Sequence, residues 1–230
     1  MPNRVKVMVV RYVLMLVGLF LLSVGILLSV KANLGVSAWT VFHLGIAQQI
    51  GWTQGQVSQI VGLIIVASSY FLGIKPAVAT IMNMVLVGSI YDYLNAANIL
   101  PAPSHLAVRY LFLLLSVLVM GTGTALYISV KLGAGPRDSL MLALTKRTGW
   151  RVAVVRNSIE VGVLAIGTLL GGPFGVGTLL YALAIGPVLE TDLHLLQAAT
   201  SHFHWEHYLS VMEPRRRTRP VEQPAAAGND

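Results

Sequence analysis

The sequence predicts an all-α fold, a polytopic bundle of transmembrane helices, and its composition and charge placement are the observations that predict it. Hydrophobic residues make up 55% of the chain and charged residues 11%, with a mean hydropathy of +0.72. An average soluble domain carries roughly 25% charged residues. The charges also fall in loops and tails, which leaves long apolar stretches uninterrupted.

Six apolar stretches are long enough to span a bilayer, since a spanning helix needs roughly 20 mostly apolar residues. The first of them follows Arg4, Lys6 and Arg11. It is longer than the apolar region of a signal peptide, so we interpret it as a retained helix. The predicted spans are 11–30, 54–72, 76–95, 107–130, 152–170 and 175–194.

An internal repeat relates the two halves of the chain. A shift of 98 residues aligns Gly25 with Gly123 and Gly51-Trp52 with Gly149-Trp150 (149 − 51 = 98). Many unusual residues share this register without a gap, which indicates a duplication. The same shift aligns Leu34-Gly35 with Leu132-Gly133, Gly73 with Gly171, Thr80 with Thr178, Gly88 with Gly186, and acidic Asp92 with acidic Glu190.

Each copy contains a short apolar stretch, at about 37–50 and 138–148. Each stretch suits a re-entrant or interfacial helix and is too short for a comfortable crossing. If it does not cross, each copy crosses three times and the repeat is inverted; if it does, there are eight spans and the copies are parallel. Residues that end helices precede both stretches: Asn33, Gly35 and Ser37, and Gly133, Gly135 and Pro136.

The distribution of basic residues favours about six spans arranged as two inverted three-helix repeats. The stretch 36–53 has no Lys or Arg, whereas its duplicate 134–151 has four, as expected if the two lie on opposite sides of the membrane. Both termini are then cytoplasmic, and anionic lipids of that face are the expected partner of the basic residues, rather than nucleic acid. The inner side collects 13 of the 16 Lys and Arg residues: Arg4, Lys6, Arg11, Lys75, Lys131, Arg137, Lys146, Arg147, Arg151, Arg215, Arg216, Arg217 and Arg219.

The chain is expected to divide into four segments and to need no cofactor. It has no cysteine, which excludes Cys-ligated metals and disulfides. A His-rich tract alone is a loose metal signal, so we predict no metal site at His202, His204 and His207 beside Glu206. The segments are an N-terminal membrane repeat (1–95), an outer linker (96–106), a C-terminal membrane repeat (107–194), and an amphipathic segment followed by a disordered basic tail (195–230).

Three motifs carry a family resemblance. They are Gly35-Val36-Ser37-Ala38-Trp39-Thr40-Val41-Phe42-His43-Leu44-Gly45, Gly175-Val176-Gly177-Thr178-Leu179 and Ile185-Gly186-Pro187. Together they resemble the YczE/YitT-like family of bacterial integral membrane proteins. The resemblance implies a protein of the bacterial cytoplasmic membrane, in a family whose activity is largely undefined. Family members often carry Pro-Trp-Asp where this chain has Ala38-Trp39-Thr40, so the first copy lacks the acid that the second keeps at Asp138.

Ionisable residues inside a predicted span are the main candidates for a site. Glu160 falls near the middle of the fifth span, where an isolated charge costs several kcal/mol. Arg156 lies one turn earlier on the same face, and Asn157 three residues before Glu160. Two interpretations stay open: a structural ion pair, or a site for a polar substrate or a proton.

Three further polar residues extend this candidate substrate site. Asn83 and Gln59 either complete a polar lining or form hydrogen bonds between helices. Asp138 follows Gly135-Pro136-Arg137 and is positioned either to cap the second short helix or to share an anion site with Arg137. We interpret 171–178 as a tight turn, and expect small residues to permit close helix packing at Gly162, Gly167, Gly177 and Gly186.

The function that this pattern favours is a transporter-like or channel-like membrane protein that passes an unknown small solute. Inverted repeats with broken segments are a common transporter plan. The alternative is a scaffold that supports another membrane protein, and a homo-oligomer is left open. An enzyme is not expected, because no Ser-His-Asp arrangement or paired membrane carboxylates are visible in the sequence.

Overall fold

The fold is all-α, as predicted. The computed structural model describes residues 4–199, with side chains described from 8 to 196, and this part of the chain contains eight helices and no strand. The His-rich tract 202–207 and the basic tail lie outside the described residues. The helices are α1 (Arg4–Ala32), α2 (Ala38–Ile50), α3 (Gln54–Phe71), α4 (Val78–Ala96), α5 (Leu106–Ser129), α6 (Pro136–Thr148), α7 (Val152–Leu169) and α8 (Val176–Ala199).

Local sequence signals set several helix ends. Before α3, the Thr53 hydroxyl accepts a hydrogen bond from the Gln56 N–H at 3.1 Å, while the Gln56 side chain accepts one from the Thr53 N–H at 3.0 Å. This reciprocal capping box starts the helix. Both short helices end at a glycine in the left-handed conformation, Gly51 and Gly149, each with φ of +71°.

The 98-residue repeat recurs in the backbone. The starts of α2 and α6, of α3 and α7, and of α4 and α8 are each 98 residues apart (136 − 38 = 98). Left-handed backbone conformations recur at the same spacing, so the two copies bend at equivalent points. The matched positions are Asn33 with Lys131, Gly35 with Gly133, Gly51 with Gly149, and Gly73 with Gly171.

Four helices of the described segment are long and apolar enough to cross a membrane. They are α1 from Met8 onward, α5, α7 and α8 up to Leu196; α2 and α3, bent by 111° at their junction, form a fifth candidate when taken as one span. The outward faces of the bundle carry large apolar side chains, such as Phe71, Leu169 and Leu183, which are 79–87% exposed. Such faces are suited to hydrocarbon, so the chain is a membrane protein.

Helices α1 and α5 pack antiparallel and form the most extensive contact between the two halves. A side chain added at Gly18 would meet backbone atoms of Gly123 and Tyr127 at 2.7 Å, and one added at Gly25 would meet Met120 at 2.9 Å. The partner numbers fall along α5 as they rise along α1, so the helices run in opposite directions. The C-terminal end of α1 meets the start of α5, where the Arg109 Nε donates to the Ala32 carbonyl at 2.8 Å.

Two further helix pairs, α5 with α8 and α3 with α4, each pack with a defined relative direction. Helix α8 runs parallel to α5, because Gly177 contacts Leu113, the Tyr181 hydroxyl donates to Ser116 at 2.7 Å, and Val188 contacts Gly121. Helices α3 and α4 pack antiparallel through Gly55 with Gly88, and Gly62 with Met84. The hydrophobic core is formed by α1, α4, α5 and α8. The other four helices, α2, α3, α6 and α7, pack beside this core.

The expectation of close packing at four glycines is half right. Added side chains would meet backbone atoms of Phe42 at Gly167 and of Gly35 at Gly177, which confirms the prediction there. At Gly162 and Gly186 an added side chain would meet no other described residue within 4 Å, so the prediction was wrong at these two. The physical reason is that no neighbouring helix packs over these two positions, a property that glycine spacing alone does not encode.

The glycine contact between α1 and α5 yields a first prediction. Gly123→Ala places a methyl group 2.6 Å from the Leu22 backbone nitrogen, which forces the helices apart. We expect a destabilisation of about 1–3 kcal/mol, typical of overpacking, measured as a lower Tm of the detergent-solubilised protein. The matched control is Gly162→Ala, which should be neutral or slightly stabilising because the space is open and Ala is the better helix former. Equal effects of the two changes would contradict the packing described here.

Candidate functional site

A cavity of about 480 Å³ is lined by both halves of the bundle. Every helix of the described segment contributes to its wall. The volume falls within the roughly 300–1,000 Å³ typical of small-molecule sites. Apolar side chains such as Leu22, Met84 and Met120 line much of it, and α6 and α7 supply four charged residues. We therefore take this cavity as the candidate functional site.

The two short helices begin at this cavity. Residues 37–39 at the start of α2 line it, as do residues 135–137 at the start of α6. The guanidinium carbon of Arg137 lies 4.8 Å from the centre of the Trp39 ring, a cation–π distance. Residues 39 and 137 are 98 positions apart, so equivalent positions of the two copies meet here and carry different side chains.

Each broken segment is held by the opposite half. The Leu34 carbonyl after α1 accepts a hydrogen bond from the Gly177 N–H of α8 at 2.7 Å, and the Leu132 carbonyl after α5 accepts one from the Ala79 N–H of α4 at 3.2 Å. The Thr80 hydroxyl also donates to the Ala134 carbonyl at 2.5 Å. These bonds satisfy backbone groups that could not face lipid, and they fix the starting points of α2 and α6.

Glycines allow these close approaches. Gly35 has φ of +106° and Gly133 has φ of +132°, conformations that L side chains rarely adopt. A side chain at Gly35 would also meet the Gly175 backbone at 2.8 Å. Both glycines are among the residues predicted to end a helix before each short stretch, and Pro136 serves as the first residue of α6. Pro187, from the motif Ile185-Gly186-Pro187, lies inside α8, and its carbonyl accepts a hydrogen bond from the Thr191 hydroxyl at 2.8 Å.

Four charged side chains line the cavity: Arg137, Asp138, Arg156 and Glu160. All four are half-buried. Asp138 interacts electrostatically with Arg156 and Arg137, and Arg137 with Glu160. No ion pair within 4.0 Å joins any of them; the one found among residues 8–196 joins Glu190 and His194 on α8. The four charges thus lie near one another without direct salt bridges, so none of them is neutralised by a partner at contact distance.

Two buried polar groups on the cavity wall have no hydrogen-bond partner among residues 8–196. His43 is 4% exposed and Gln54 is 6% exposed, and the His43 Nε2 and Gln54 Oε1 atoms are both unpaired. A buried unsatisfied polar atom costs about 1–3 kcal/mol. His43 lies one turn after Trp39 on α2, in ring contact with it at 6.1 Å. Unpaired polar groups of this kind on a cavity wall are suited to bind a polar group from outside the protein.

The structure brings five of the six predicted site residues to this cavity. Gln59 is the exception, because its amide donates to the Val85 carbonyl at 2.9 Å and to the Ser89 hydroxyl at 2.8 Å. It ties α3 to α4, the interhelical alternative that its sequence position left open. The five residues on the cavity wall are Asn83, Asp138, Arg156, Asn157 and Glu160.

Two structural interpretations of these residues need correction. Asp138 is not the cap of α6: the helix begins one turn earlier, with Gly135 as its cap and Pro136 as its first residue, because proline is preorganised for that position. Asp138 instead lies in the first turn and accepts a hydrogen bond from the Tyr127 hydroxyl at 3.2 Å. Arg156 and Glu160 share a helix face without forming the ion pair that their spacing suggested.

Sequence reasoning did not single out His43 or Gln54 as site residues. His43 lies in an apolar run, where a lone histidine gives no signal. The sequence pattern marks Arg137 only as a companion of Asp138. Its alignment with Trp39 was visible in the repeat, and a charged residue opposite an aromatic one in an otherwise matched motif is the signal that could have marked it.

Comparisons with known proteins confirm the family resemblance. The model of a family of unknown function, DUF6198, matches residues 9–191. The chain is 40% identical over 188 residues to the uncharacterized membrane protein YczE of Bacillus subtilis, covering 81% of this chain and 86% of that protein. It is 36% identical over 197 residues to an uncharacterized protein of Haemophilus influenzae, covering 84% and 87%. No solved structure matches the chain.

The unpaired imidazole yields a second prediction. His43→Met replaces a buried polar ring by an apolar side chain of similar size, so we expect a higher Tm of the empty protein in detergent, by the equivalent of about 1 kcal/mol. The matched control on the same helix is Thr40→Val. The Thr40 and Ser37 hydroxyls are hydrogen-bonded at 2.9 Å, so this change should lower the Tm. A lower Tm for both variants would contradict the view that His43 is unsatisfied.

Proposed function

The chain belongs to the family of unknown function DUF6198, and from the shape and chemistry of its cavity we propose that it is a transporter-like membrane protein that passes a small solute between two inverted halves. One observation carries the proposal. The N-terminal ends of two equivalent broken segments meet at a cavity lined by both halves, with Arg137 against Trp39. Many secondary transporters build their substrate sites from broken helices at the interface of repeats.

Helix directions support an inverted repeat. Helices α1 and α5 are equivalent in the two copies, and they run antiparallel through Gly18, Gly25 and Gly123. Copies related by translation or by an axis normal to the membrane would run in the same direction. A pseudo-twofold axis in the membrane plane reverses them, as proposed here.

The same directions support six crossings. The end of α1 and the starts of α5 and α8 lie together, linked by Arg109 with Ala32 and by Gly177 with Leu34. The end of α5 and the start of α4 lie together at the other side, through Leu132 and Ala79. Because α3 is antiparallel to α4, α3 runs back toward the side of the membrane on which α1 begins. Helix α2 then begins and ends on one side, and α6 does the same on the other.

The charge distribution sets the proposed orientation. The loop that leads into α4 carries Lys75, and the segment around α6 carries four basic residues, so both belong on the cytoplasmic side. Both termini then lie in the cytoplasm of a bacterial inner membrane. The basic residues there face an anionic leaflet, which we propose as a lipid partner.

Topology is the third prediction, tested by single cysteines in this naturally Cys-free chain. The exposed positions Gln48, Ala102 and Phe174 should react with a membrane-impermeant maleimide added to intact cells. Lys75 and Arg147, also exposed, should react only after permeabilisation. Positions 48 and 147 decide the matter, since they lie at equivalent ends of the two short helices. Equal labelling of both from one side would mean that these helices cross and that the copies are parallel.

Access to the cavity is the fourth prediction. Ser58→Cys and Ala182→Cys place thiols on the cavity wall, while Leu63→Cys and Leu183→Cys on the same helices face outward and are 52% and 79% exposed to the surroundings of the bundle. If the protein passes a solute, a small charged thiol reagent should modify both cavity cysteines from outside in cells and from inside in inverted vesicles. The two outward cysteines should stay unmodified in lipid. Cavity thiols that react from neither side would refute a pathway and favour the scaffold alternative.

A further inference from the structure

We propose that the solute carries a carboxylate, and that this group binds at the N-terminal end of α2 between His43 and Arg137. The inference rests on the proposed function, because it takes the cavity to be the place where the solute resides. It adds the chemical class of the solute and separates the roles of the two short helices, which the repeat alone would make equivalent.

The charge balance of the cavity favours a single negative charge. Two guanidinium groups and two carboxylates line the wall and cancel in formal charge. Each helix N-terminus adds a partial positive charge of roughly half a unit, and both short helices direct theirs here. An occupant with one carboxylate would neutralise the remainder. A multiply charged anion would instead be repelled by Asp138 and Glu160.

The N-terminal ends of α2 and α6 differ in the side chains that already neutralise or bond to them. Helix α6 has the acidic Asp138 in its first turn, whereas α2 has no acid there. The cap residue of α2, Ser37, makes no capping bond, because its hydroxyl is engaged with that of Thr40. The backbone N–H groups of the first turn of α2 are therefore the donors left for an external anion.

The unpaired imidazole is an independent observation that points to a ligand at this end. His43 lies on α2, one turn after Trp39, and is 96% buried (4% exposed). Its Nε2 atom has no hydrogen-bond partner among the described residues. It interacts electrostatically with Arg137. An imidazole N–H, a guanidinium and free backbone N–H groups facing one space form a set of donors matched to an anion.

The form of the donors favours a carboxylate. The Arg137 guanidinium carbon lies 4.8 Å from the centre of the Trp39 ring, and no hydrogen bond or ion pair from this guanidinium is found among the described residues. The planar fork of guanidinium N–H groups matches the two oxygens of a carboxylate. The rest of the wall includes Ile26, Ile65 and Met120, which suit an apolar body attached to the acid group. Glu160, which also lines the cavity, would accept a hydrogen bond from an ammonium group if the solute has one.

Three compounds with one carbon skeleton test the proposal: 4-methylpentanoate, leucine and the neutral 4-methylpentanamide. The purified full-length protein in detergent is titrated with each, and binding is followed by tryptophan fluorescence, since Trp39 forms part of the site, and by the rise in Tm. We expect at least one of the two acids to bind at millimolar concentration or below and the amide to bind at least tenfold more weakly. Preference for leucine, removed by Glu160→Gln, would identify a zwitterion; preference for 4-methylpentanoate would identify a simple acid.

Variants locate the bound group. Arg137→Gln and His43→Gln should each weaken binding of the acid by about tenfold or more, as expected for the loss of a hydrogen bond to a charged group. The matched control Arg147→Gln removes an exposed cation from the same helix α6 and should leave binding unchanged. Arg137→Lys keeps the charge without the fork and should give an intermediate loss, which provides a second readout if Arg137→Gln fails to fold.

The outcomes separate this inference from the proposed function. Equal binding of the amide and the acids, no binding of any of the three, or losses no larger at Arg137 than at Arg147 would overturn the carboxylate site. Cavity cysteines that react from both sides would still support a pathway in that case. Acid binding that depends on Arg137 in a protein whose cavity cysteines react from neither side would keep the site and reject transport.

Discussion

Two backbone carbonyls, those of Leu34 and Leu132, constrain the whole bundle. Each follows a long helix at a point where the chain bends, and neither has a partner within its own helix. In an apolar environment an unpaired carbonyl costs several kcal/mol. Each is satisfied by an N–H group at the start of a helix from the other copy, Gly177 for Leu34 and Ala79 for Leu132. The halves therefore interlock: α2 packs on α7 and α3 packs on α6.

The two copies match at positions that pack helices together and differ at positions that line the cavity. The glycines that let backbones touch recur at the 98-residue spacing, as Gly25 does with Gly123 and Gly35 with Gly133. The residues that meet at the centre do not match, since Trp39 faces Arg137 and Thr40 corresponds to Asp138. Duplicated positions that pack are under the same geometric restraint in both copies. Duplicated positions that line a cavity are free to diverge, and here they place an aromatic ring on one side and charges on the other.

The sequence predicted the helices far better than their partners. The predicted span 152–170 differs from α7 by a single residue, because an apolar stretch bounded by Trp150-Arg151 and Gly171-Gly172 is a local signal. The exchange of partners between halves depends on contacts far apart in the chain, and no local pattern encodes it. Glycines illustrate the limit: Gly167 packs against Phe42 while Gly162, on the same helix, meets nothing within 4 Å. Likewise, Gln59 and Asn83 both carry polar amide side chains. Only the direction of each side chain makes Gln59 donate a hydrogen bond to α4 while Asn83 lines the cavity.

The bond between Leu34 and Gly177 also has a consequence for biosynthesis. The two residues are 143 positions apart (177 − 34 = 143), and a ribosome emits a chain in order at about 5–20 residues per second. The carbonyl of Leu34 therefore enters the membrane many seconds before its donor exists. During that interval the first copy must rely on water, lipid headgroups or the insertion machinery to solvate its bend. A protein truncated after the first copy would leave the Leu34 carbonyl without this donor, so the bend of the first copy depends on the second copy for its hydrogen bond.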